Sequence, residues 1–138
     1  MSLKFVLDTN VISEAVKAEP NPAVMRRLRR HEDEVAIAVL VWHELYYGVE
    51  RMPESRRKDH IRAFLRDVVQ RTIPILPYDE RAAEWHALER VRLSQNGYTP
   101  PFVDGQIAAI ARVRDLTLVT FNVKDFKRFD SLRVVSWG

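Results

Sequence analysis

Cysteine is absent from the 138-residue sequence. The chain therefore has no disulfide bonds, no thiolate zinc site and no cysteine nucleophile, which suits a reducing compartment. The four histidines have no metal-ligand spacing. One of them, His43, begins a zinc-protease motif with Glu44, but Tyr47 stands where that motif requires its second histidine. We interpret the histidines as ordinary surface or core residues, so a metal ion would bind mainly through oxygen atoms.

Long apolar runs and glycine-rich loops are also missing. The longest apolar run, from Val35 to Trp42, falls well short of the roughly 18 residues that indicate a membrane span. The N-terminus leads directly into a strand-like run and leaves no room for a signal peptide. Only 4 glycines occur, and none forms a phosphate-binding loop or a nucleophile elbow. We therefore expect one soluble, cytoplasmic domain over residues 1–138 that does not enter a membrane.

Arginine dominates the basic residues. The formal net charge is only +3, but 17 of the 22 lysines and arginines are arginine, the side chain that pairs bidentately with phosphate. This composition favours nucleic acid as a partner. The alternative is that most arginines lie on solvated helix faces beside carboxylates. The most basic helix face is predicted between Arg56 and Arg66, and a second basic helix runs from Arg26 to Arg30.

Short apolar runs alternate with helical patterns along the chain, which favours a parallel α/β sheet. Asn10 is the predicted N-cap of the first helix, and Asp79 opens a long helix that ends at Asn96-Gly97. A turn region is predicted over 121–130. Pro74 places the third strand at an edge of the sheet. The predicted strands are 5–7, 35–38, 73–76, 116–120 and 132–135.

Two aspartates follow predicted strands. Asp8 comes directly after the first strand, and ligands of open parallel sheets collect beyond the carboxyl ends of the strands. A capping or Asx-turn role accounts for Asp8 equally well. Asp125 follows the strand 116–120 and shares that sheet edge if the two strands are parallel. Its alternative is a solvated turn acid between Lys124 and Lys127.

Two further acids lie on predicted helices. Asp104 falls in a first helical turn, where the helix dipole favours a negative charge, so capping alone accounts for it. It also lies at the edge of an apolar stripe, and a half-buried acid needs a partner or a cation. Glu44 falls about 150° from the centre of its helix stripe, so the pattern alone favours exposure to water.

Four motifs in this order resemble those of the PIN-domain ribonucleases, most closely the VapC toxins, including the FitB-like members. The motifs span Phe5–Asn10, Val41–Gly48, Pro101–Ala109 and Leu118–Phe126, and the resemblance covers nearly the whole chain. It implies a doubly wound α/β/α sandwich around a parallel sheet. It also implies one catalytic, metal-binding cluster of four acids, namely Asp8, Glu44, Asp104 and Asp125. Polar residues of the same motifs are second-rank site candidates, namely Thr9, Thr120 and Asn122.

The resemblance further implies a metal-dependent endoribonuclease, the toxin of a toxin–antitoxin pair. One or two Mg²⁺ or Mn²⁺ ions would serve as cofactor, RNA as substrate, and a small VapB-type antitoxin and a second copy of the chain as partners. Aromatic residues on the helices from Trp42 to Val69 are candidates for either protein interface, namely Tyr46, Tyr47 and Phe64, and a place in the core accounts for them equally well. Basic residues are candidates for RNA contacts, namely Arg51, Arg56, Arg57 and Lys58.

Two alternatives stay open from the sequence. One is a catalytically silent module of the same fold that only binds RNA or an antitoxin. The other is a phosphatase with Asp8 as its nucleophile, although such sites place another acid two residues on, where this chain has Asn10.

Overall fold

The computed structural model describes residues 2–138, so Met1 of the predicted domain lies outside the described residues. Five parallel strands form one sheet in the order β3-β2-β1-β4-β5. The strands are β1 Phe5–Leu7, β2 Val35–Ala38, β3 Ile75–Leu76, β4 Thr117–Val119 and β5 Val134–Val135. All five lie within the predicted ranges, and β3 takes the predicted edge position.

The strand order reverses beside β1. The chain passes from β1 to β2 and β3 on one side, whereas β4 and β5 lie on the other side. The register is set by Phe5, which pairs with Val35 of β2 and with Thr117 of β4. In open α/β sheets such a reversal leaves a crevice beyond the carboxyl ends of the two central strands. The ends of β1 and β4 therefore define the place where a ligand site is expected.

Eight α-helices flank the sheet over residues 2–138. They are α1 Thr9–Ser13, α2 Pro22–Arg30, α3 Val39–Glu50, α4 Arg56–Phe64, α5 Gln70–Thr72, α6 Glu80–Gln95, α7 Phe102–Val113 and α8 Val123–Phe126. A 3₁₀ turn over Glu14–Val16 follows α1, and a π-helical stretch over Leu65–Val69 joins α4 to α5. The predicted parallel α/β fold is confirmed. None of the helices described here is long and apolar enough to cross a bilayer.

Two local predictions were wrong. The N-cap of α1 is Asp8 rather than Asn10, because the helix begins immediately after β1 and the Asp8 Oδ1 atom accepts a hydrogen bond from Thr9 N at 2.8 Å. The predicted turn region after β4 contains α8, which has only four residues and therefore no apolar periodicity to reveal it. By contrast, Asp79 caps α6, and Gly97, with φ +76°, ends it as predicted.

Helix α7 lies at the centre of the packing. It contacts α6, α3, β2 and β4, and most of its residues after the first turn are buried. Its small buried side chains, Ala108, Ala109 and Ala111, allow close approach of the neighbouring elements. Helix α7 begins just after Pro101, and this packing fixes the position of its first turn, which carries Asp104.

Candidate active site

Asp8 lies where β1 ends, and protein groups orient its carboxylate on both sides. Oδ1 accepts the hydrogen bond from Thr9 N, and Oδ2 accepts one from the Thr120 hydroxyl at 2.8 Å. The backbone N–H of Asp8 donates to Val119 O at 2.9 Å, which ties the end of β1 to the end of β4. Asp8 therefore caps α1 and also presents its remaining lone pairs at the strand reversal. The capping role and the site role are compatible.

Thr120 and Thr9 extend this network to both sides. The Thr120 side chain is fully buried, and its hydroxyl oxygen also accepts the Asn122 backbone N–H at 3.0 Å. The Thr9 hydroxyl donates to Glu44 Oε2 at 2.9 Å. Glu44, on the exposed side of α3, is thereby linked to Asp8 through a single residue. Asn122 enters the network through its backbone.

The pKa of Asp104 is raised well above its ordinary value. Asp104 is half-buried in the first turn of α7, and burial raises its pKa to about 6. The charges of Asp8, Asp125 and Glu44 add to this rise, in that order. Four acids from β1, α3, α7 and α8 thus interact electrostatically at one edge of the sheet. Among residues 2–138, no hydrogen bond to Asp104 offsets the effect.

Asp125 is the fourth acid of the site. It lies on α8 and is exposed, and its backbone N–H donates to Asn122 O at 3.0 Å. Its side chain forms no hydrogen bond within the described part of the chain, so it contributes to the site through its charge.

These residues fit a hydrated divalent cation better than a closed metal cage. Within residues 2–138, no three acidic or histidine side chains stand close enough to enclose an ion. The charges of Asp8, Asp125 and Glu44 nevertheless raise the pKa of Asp104, and a nearby cation would relieve that repulsion. Mg²⁺ suits this arrangement because it accepts hard oxygen ligands, keeps several waters and uses only one or two carboxylates directly. Zinc, which favours histidine and thiolate ligands in a tetrahedral site, suits it poorly.

The packing that holds the first turn of α7 was not predicted from the sequence. A Cβ built on Gly105 would overlap Nε2 of His86, so the imidazole ring lies directly against the helix backbone beside Asp104. The His86 Nδ1 atom and the Tyr78 hydroxyl are 2.8 Å apart, and the centroids of the His86 and Phe102 rings are 4.7 Å apart. Burial, and then the charge of Arg90, lowers the pKa of His86. A glycine directly after an acid inside a predicted helix was the available signal.

An apolar groove of about 280 Å³ adjoins the acids. Thr9 and Glu44 lie among its lining residues, and Leu45, Phe64 and Leu65 form much of its apolar wall. Of the aromatic residues predicted for interfaces, Tyr46 and Phe64 are partly buried, and Tyr47 is 58% exposed. The groove lies between α1, α3 and α4.

Comparison with known proteins agrees with this architecture. The PIN domain family model matches residues 5–132. The chain is 34% identical over 138 residues to the tRNA(fMet)-specific endonuclease VapC of Shigella flexneri, covering 99% of each. The structure of FitAcB from Neisseria gonorrhoeae superposes with a TM-score of 0.88 at 31% identity, covering 96% of this chain and 97% of that one. DNA-bound VapBC from Salmonella typhimurium gives a TM-score of 0.84 at 29% identity, covering 99% of both. The chain therefore belongs to the PIN domain family, as its four motifs predicted.

Proposed function

We propose that this protein is a metal-dependent endoribonuclease that acts as the toxin of a toxin–antitoxin pair. The observation that carries the proposal is the half-buried Asp104, whose pKa is raised by burial and by the charges of three other carboxylates at the reversal of the strand order. The relatives named as VapC endonucleases support RNA as the substrate. The cytoplasm, where RNA is abundant, is the proposed location.

The four acids have different roles in binding metal and water. Asp8 and Asp104 are the principal metal ligands, directly or through water, and Glu44 is a further ligand or orients water. Asp125 supports the site through its charge. A Mg²⁺ or Mn²⁺ ion held by these residues would supply the positive charge needed to activate water and to stabilise the departing ribose oxygen, so hydrolysis would need no covalent intermediate.

Protein hydrogen bonds orient this donor set before a ligand arrives. Thr9 N and the Thr120 hydroxyl fix the Asp8 carboxylate, while the Thr9 hydroxyl holds Glu44 at its side. Two carboxylates about 4 Å apart repel by about 1 kcal/mol in water and about 4 kcal/mol at an effective dielectric constant of 20. The carboxylate charges that raise the pKa of Asp104 therefore favour a cation at this place.

We further propose a VapB-type antitoxin and a second copy of the chain as partners. The groove beside Glu44 and Thr9 has a mostly apolar wall and an acidic rim, so it suits an antitoxin segment that combines apolar side chains with a basic one. Leu88 and Val91, three residues apart on α6, are 71% and 56% exposed. This α6 patch, defined by Leu88 and Val91, is the proposed dimer contact.

The decisive experiment is cleavage of structured RNAs, including tRNAs, by the purified chain with Mg²⁺, with Mn²⁺ or with EDTA. We expect cleavage only with metal, and a loss of about 100-fold or more in Asp8→Asn and Asp104→Asn. Asp33→Asn serves as the matched control because Asp33 is an exposed acid before β2, at the other end of the sheet. Cleavage that survives EDTA, or survives both site substitutions, contradicts the proposal.

The same samples separate the two alternatives. A silent module would bind RNA without cutting it under any metal condition. A phosphatase would release phosphate from a monoester such as p-nitrophenyl phosphate and leave internal RNA bonds intact. For the toxin role, expression of the chain without an antitoxin should arrest growth, whereas Asp104→Asn at equal abundance should not.

A further inference from the structure

The C-terminal half of α2 carries an exposed group of arginines that the proposed mechanism does not use. They are Arg26, Arg27, Arg29 and Arg30, here called the α2 arginine face. At 100° per residue the four span an arc of about 160° on one side of the helix. Val24, fully buried, and Leu28, partly buried, occupy the opposite side. The arginines border a shared depression of about 600 Å³ that faces solvent.

These arginines have no carboxylate partner in the described part of the chain. Within residues 2–138, none of the ion pairs involves this face. The one side-chain hydrogen bond from it, over the same residues, runs from Arg27 Nη1 to the Ser136 carbonyl at 3.3 Å. Glu32 and Asp33 follow the helix but are not paired with it. The guanidinium groups therefore remain available to an external anion.

The other basic face, on α4, differs in this respect. Lys58 is buried, and its Nζ atom donates to Glu54 Oε1 at 2.7 Å and to the Glu50 carbonyl at 3.1 Å. Arg62 pairs with Glu50 at 3.1 Å, and Arg57 donates to the Val16 carbonyl at 3.3 Å. The helix that looked most basic in the sequence is thus largely engaged within the protein, whereas the α2 arginine face is not.

Packing connects the start of α2 to the acidic site, whereas Arg29 and Arg30 at its end precede β2 and lie toward the other end of the sheet. A Cβ built on Gly138 would lie 3.1 Å from Phe121 Cε1 and 3.7 Å from Val24 Cγ2, so the C-terminus fills the gap between α2 and the end of β4. Phe121 is exposed and directly follows Thr120, which binds Asp8. Neighbouring strands lie about 4.8 Å apart, and β4 lies between β1 and β5, so β5 lies about 10 Å from β1. Ser136, whose carbonyl accepts the hydrogen bond from Arg27, directly follows β5.

We infer that the α2 arginine face binds the phosphate backbone of RNA that extends from the acidic site past the end of β4. This inference rests on the proposed ribonuclease function. Four guanidinium groups on one helix face match a polyphosphate chain, because arginine binds phosphate bidentately and stays charged at every physiological pH. Such contacts give affinity that depends on salt and little on sequence. The face therefore holds substrate and leaves the choice of scissile bond to the site.

The test is fluorescence anisotropy of a labelled RNA hairpin with a single-stranded tail, in EDTA, across a series of salt concentrations. The variant replaces all four arginines with glutamine, which keeps helix propensity and removes the charge. We expect affinity to fall about tenfold or more. The salt slope should fall by about 0.7 for each phosphate that the variant no longer neutralises.

The matched control is a second variant with the same loss of four charges elsewhere, Arg81→Gln/Arg133→Gln/Arg112→Gln/Arg114→Gln. These arginines lie near Val113 and Asp115, where β4 begins, at the end of the sheet away from the acidic site. Because Arg114 pairs with Asp79, thermal unfolding checks that both variants are folded. An equal loss of affinity in this control would overturn the inference, since it would reflect net charge alone. An unchanged salt slope in the α2 variant would also overturn it and leave the arginines as stabilisers of the helix dipole.

Cleavage assays separate this inference from the proposed function. A dinucleotide is too short to reach α2, so the α2 variant should cut it at the wild-type rate while its KM for the long RNA rises. If the variant binds RNA normally but loses an antitoxin partner, the face belongs to that partner and the inference is wrong. If no RNA is cut by any protein, the proposed function fails, yet the binding comparison still decides whether the face holds RNA.

Discussion

The Thr120 hydroxyl donates a hydrogen bond of 2.8 Å to Asp8 Oδ2 across 112 residues of sequence. Because Thr120 is fully buried and its oxygen also accepts the Asn122 backbone N–H, this side chain has one geometry available. The bond joins the ends of β1 and β4 at the strand reversal. It therefore sets the direction in which Asp8 presents its free lone pairs.

Removing this hydroxyl should weaken metal binding more than it weakens folding. Thr120→Val keeps the shape of the side chain but deletes the donor, so Asp8 loses one of two orienting partners. We expect the activity at limiting Mg²⁺ to fall about 10-fold to 100-fold, the usual effect of losing an outer partner of a ligand. Thr120→Ser retains the hydroxyl and should retain most of the activity. A Mg²⁺ titration of RNA cleavage measures both, and equal activity of Thr120→Val and wild type contradicts the assigned role.

Gly105 should tolerate no side chain. Gly105→Ala would place a Cβ into the His86 ring, so either the ring or the first turn of α7 must move. We expect a loss of about 1 to 3 kcal/mol in the free energy of unfolding, measured by urea denaturation. Gly48→Ala is the matched control, because a Cβ there meets nothing within 4 Å and lies inside α3.

The control should be neutral or stabilising by about 0.5 to 1 kcal/mol, since alanine favours a helix more than glycine does. If the clash with His86 is the cause, the double variant His86→Ala/Gly105→Ala should lose less than the sum of the two single losses. Additive losses would show that the destabilisation by Gly105→Ala does not come from a clash with His86.

Much of the site followed from position along the sequence, but its internal contacts did not. Asp8 and Asp104 were placed by a strand end and a helix start, and the strand alternation gave the parallel sheet. The bond from Thr9 to Glu44 joins residues 35 positions apart and depends on how α1 packs against α3, which no local pattern encodes. Periodicity suggested that Glu44 faces water, and it is exposed as well as bonded to the site.

The burial of charged side chains could not be predicted from the sequence either. Lys58 belongs to the most basic stretch of the chain, yet it is buried because Glu54 and the Glu50 carbonyl hold its ammonium group. The composition gives the number of charged residues but does not show which of them form ion pairs in the folded chain. The α2 arginine face became distinguishable only when the ion pairs of the folded chain were known.

Without metal, Asp104 should destabilise the protein as the pH rises. Its pKa of about 6 in the folded chain exceeds the ordinary value of 3.8, so the folded state holds the proton more tightly. The favourable contribution of Asp104 protonation to the free energy of unfolding is complete below about pH 4 and is lost between about pH 4 and 6. Asp104→Asn cannot ionise and should be the more stable protein above pH 6, by up to about 3 kcal/mol.

Urea denaturation of wild type and Asp104→Asn in EDTA, from pH 4.5 to 7.5, measures this difference. Acids outside the site shift the stability of both proteins alike, so only the difference between the two proteins is informative. Saturating Mg²⁺ should stabilise the wild type at pH 7 and have little effect on Asp104→Asn, because the ion binds only the folded site. A difference that does not change with pH contradicts the assigned burial and charge of Asp104.

The α6 patch should control the oligomeric state. Leu88 is 71% exposed, so Leu88→Glu removes no core contact, but it places a charge in the proposed dimer contact. We expect a dimeric wild type and a folded, monomeric Leu88→Glu variant by light scattering coupled to size exclusion. Tyr47→Glu is the comparison, because Tyr47 is 58% exposed on α3 and is one of the interface candidates from the sequence. A monomeric wild type, or dissociation by Tyr47→Glu in place of Leu88→Glu, would show that the α6 patch is not the dimer contact.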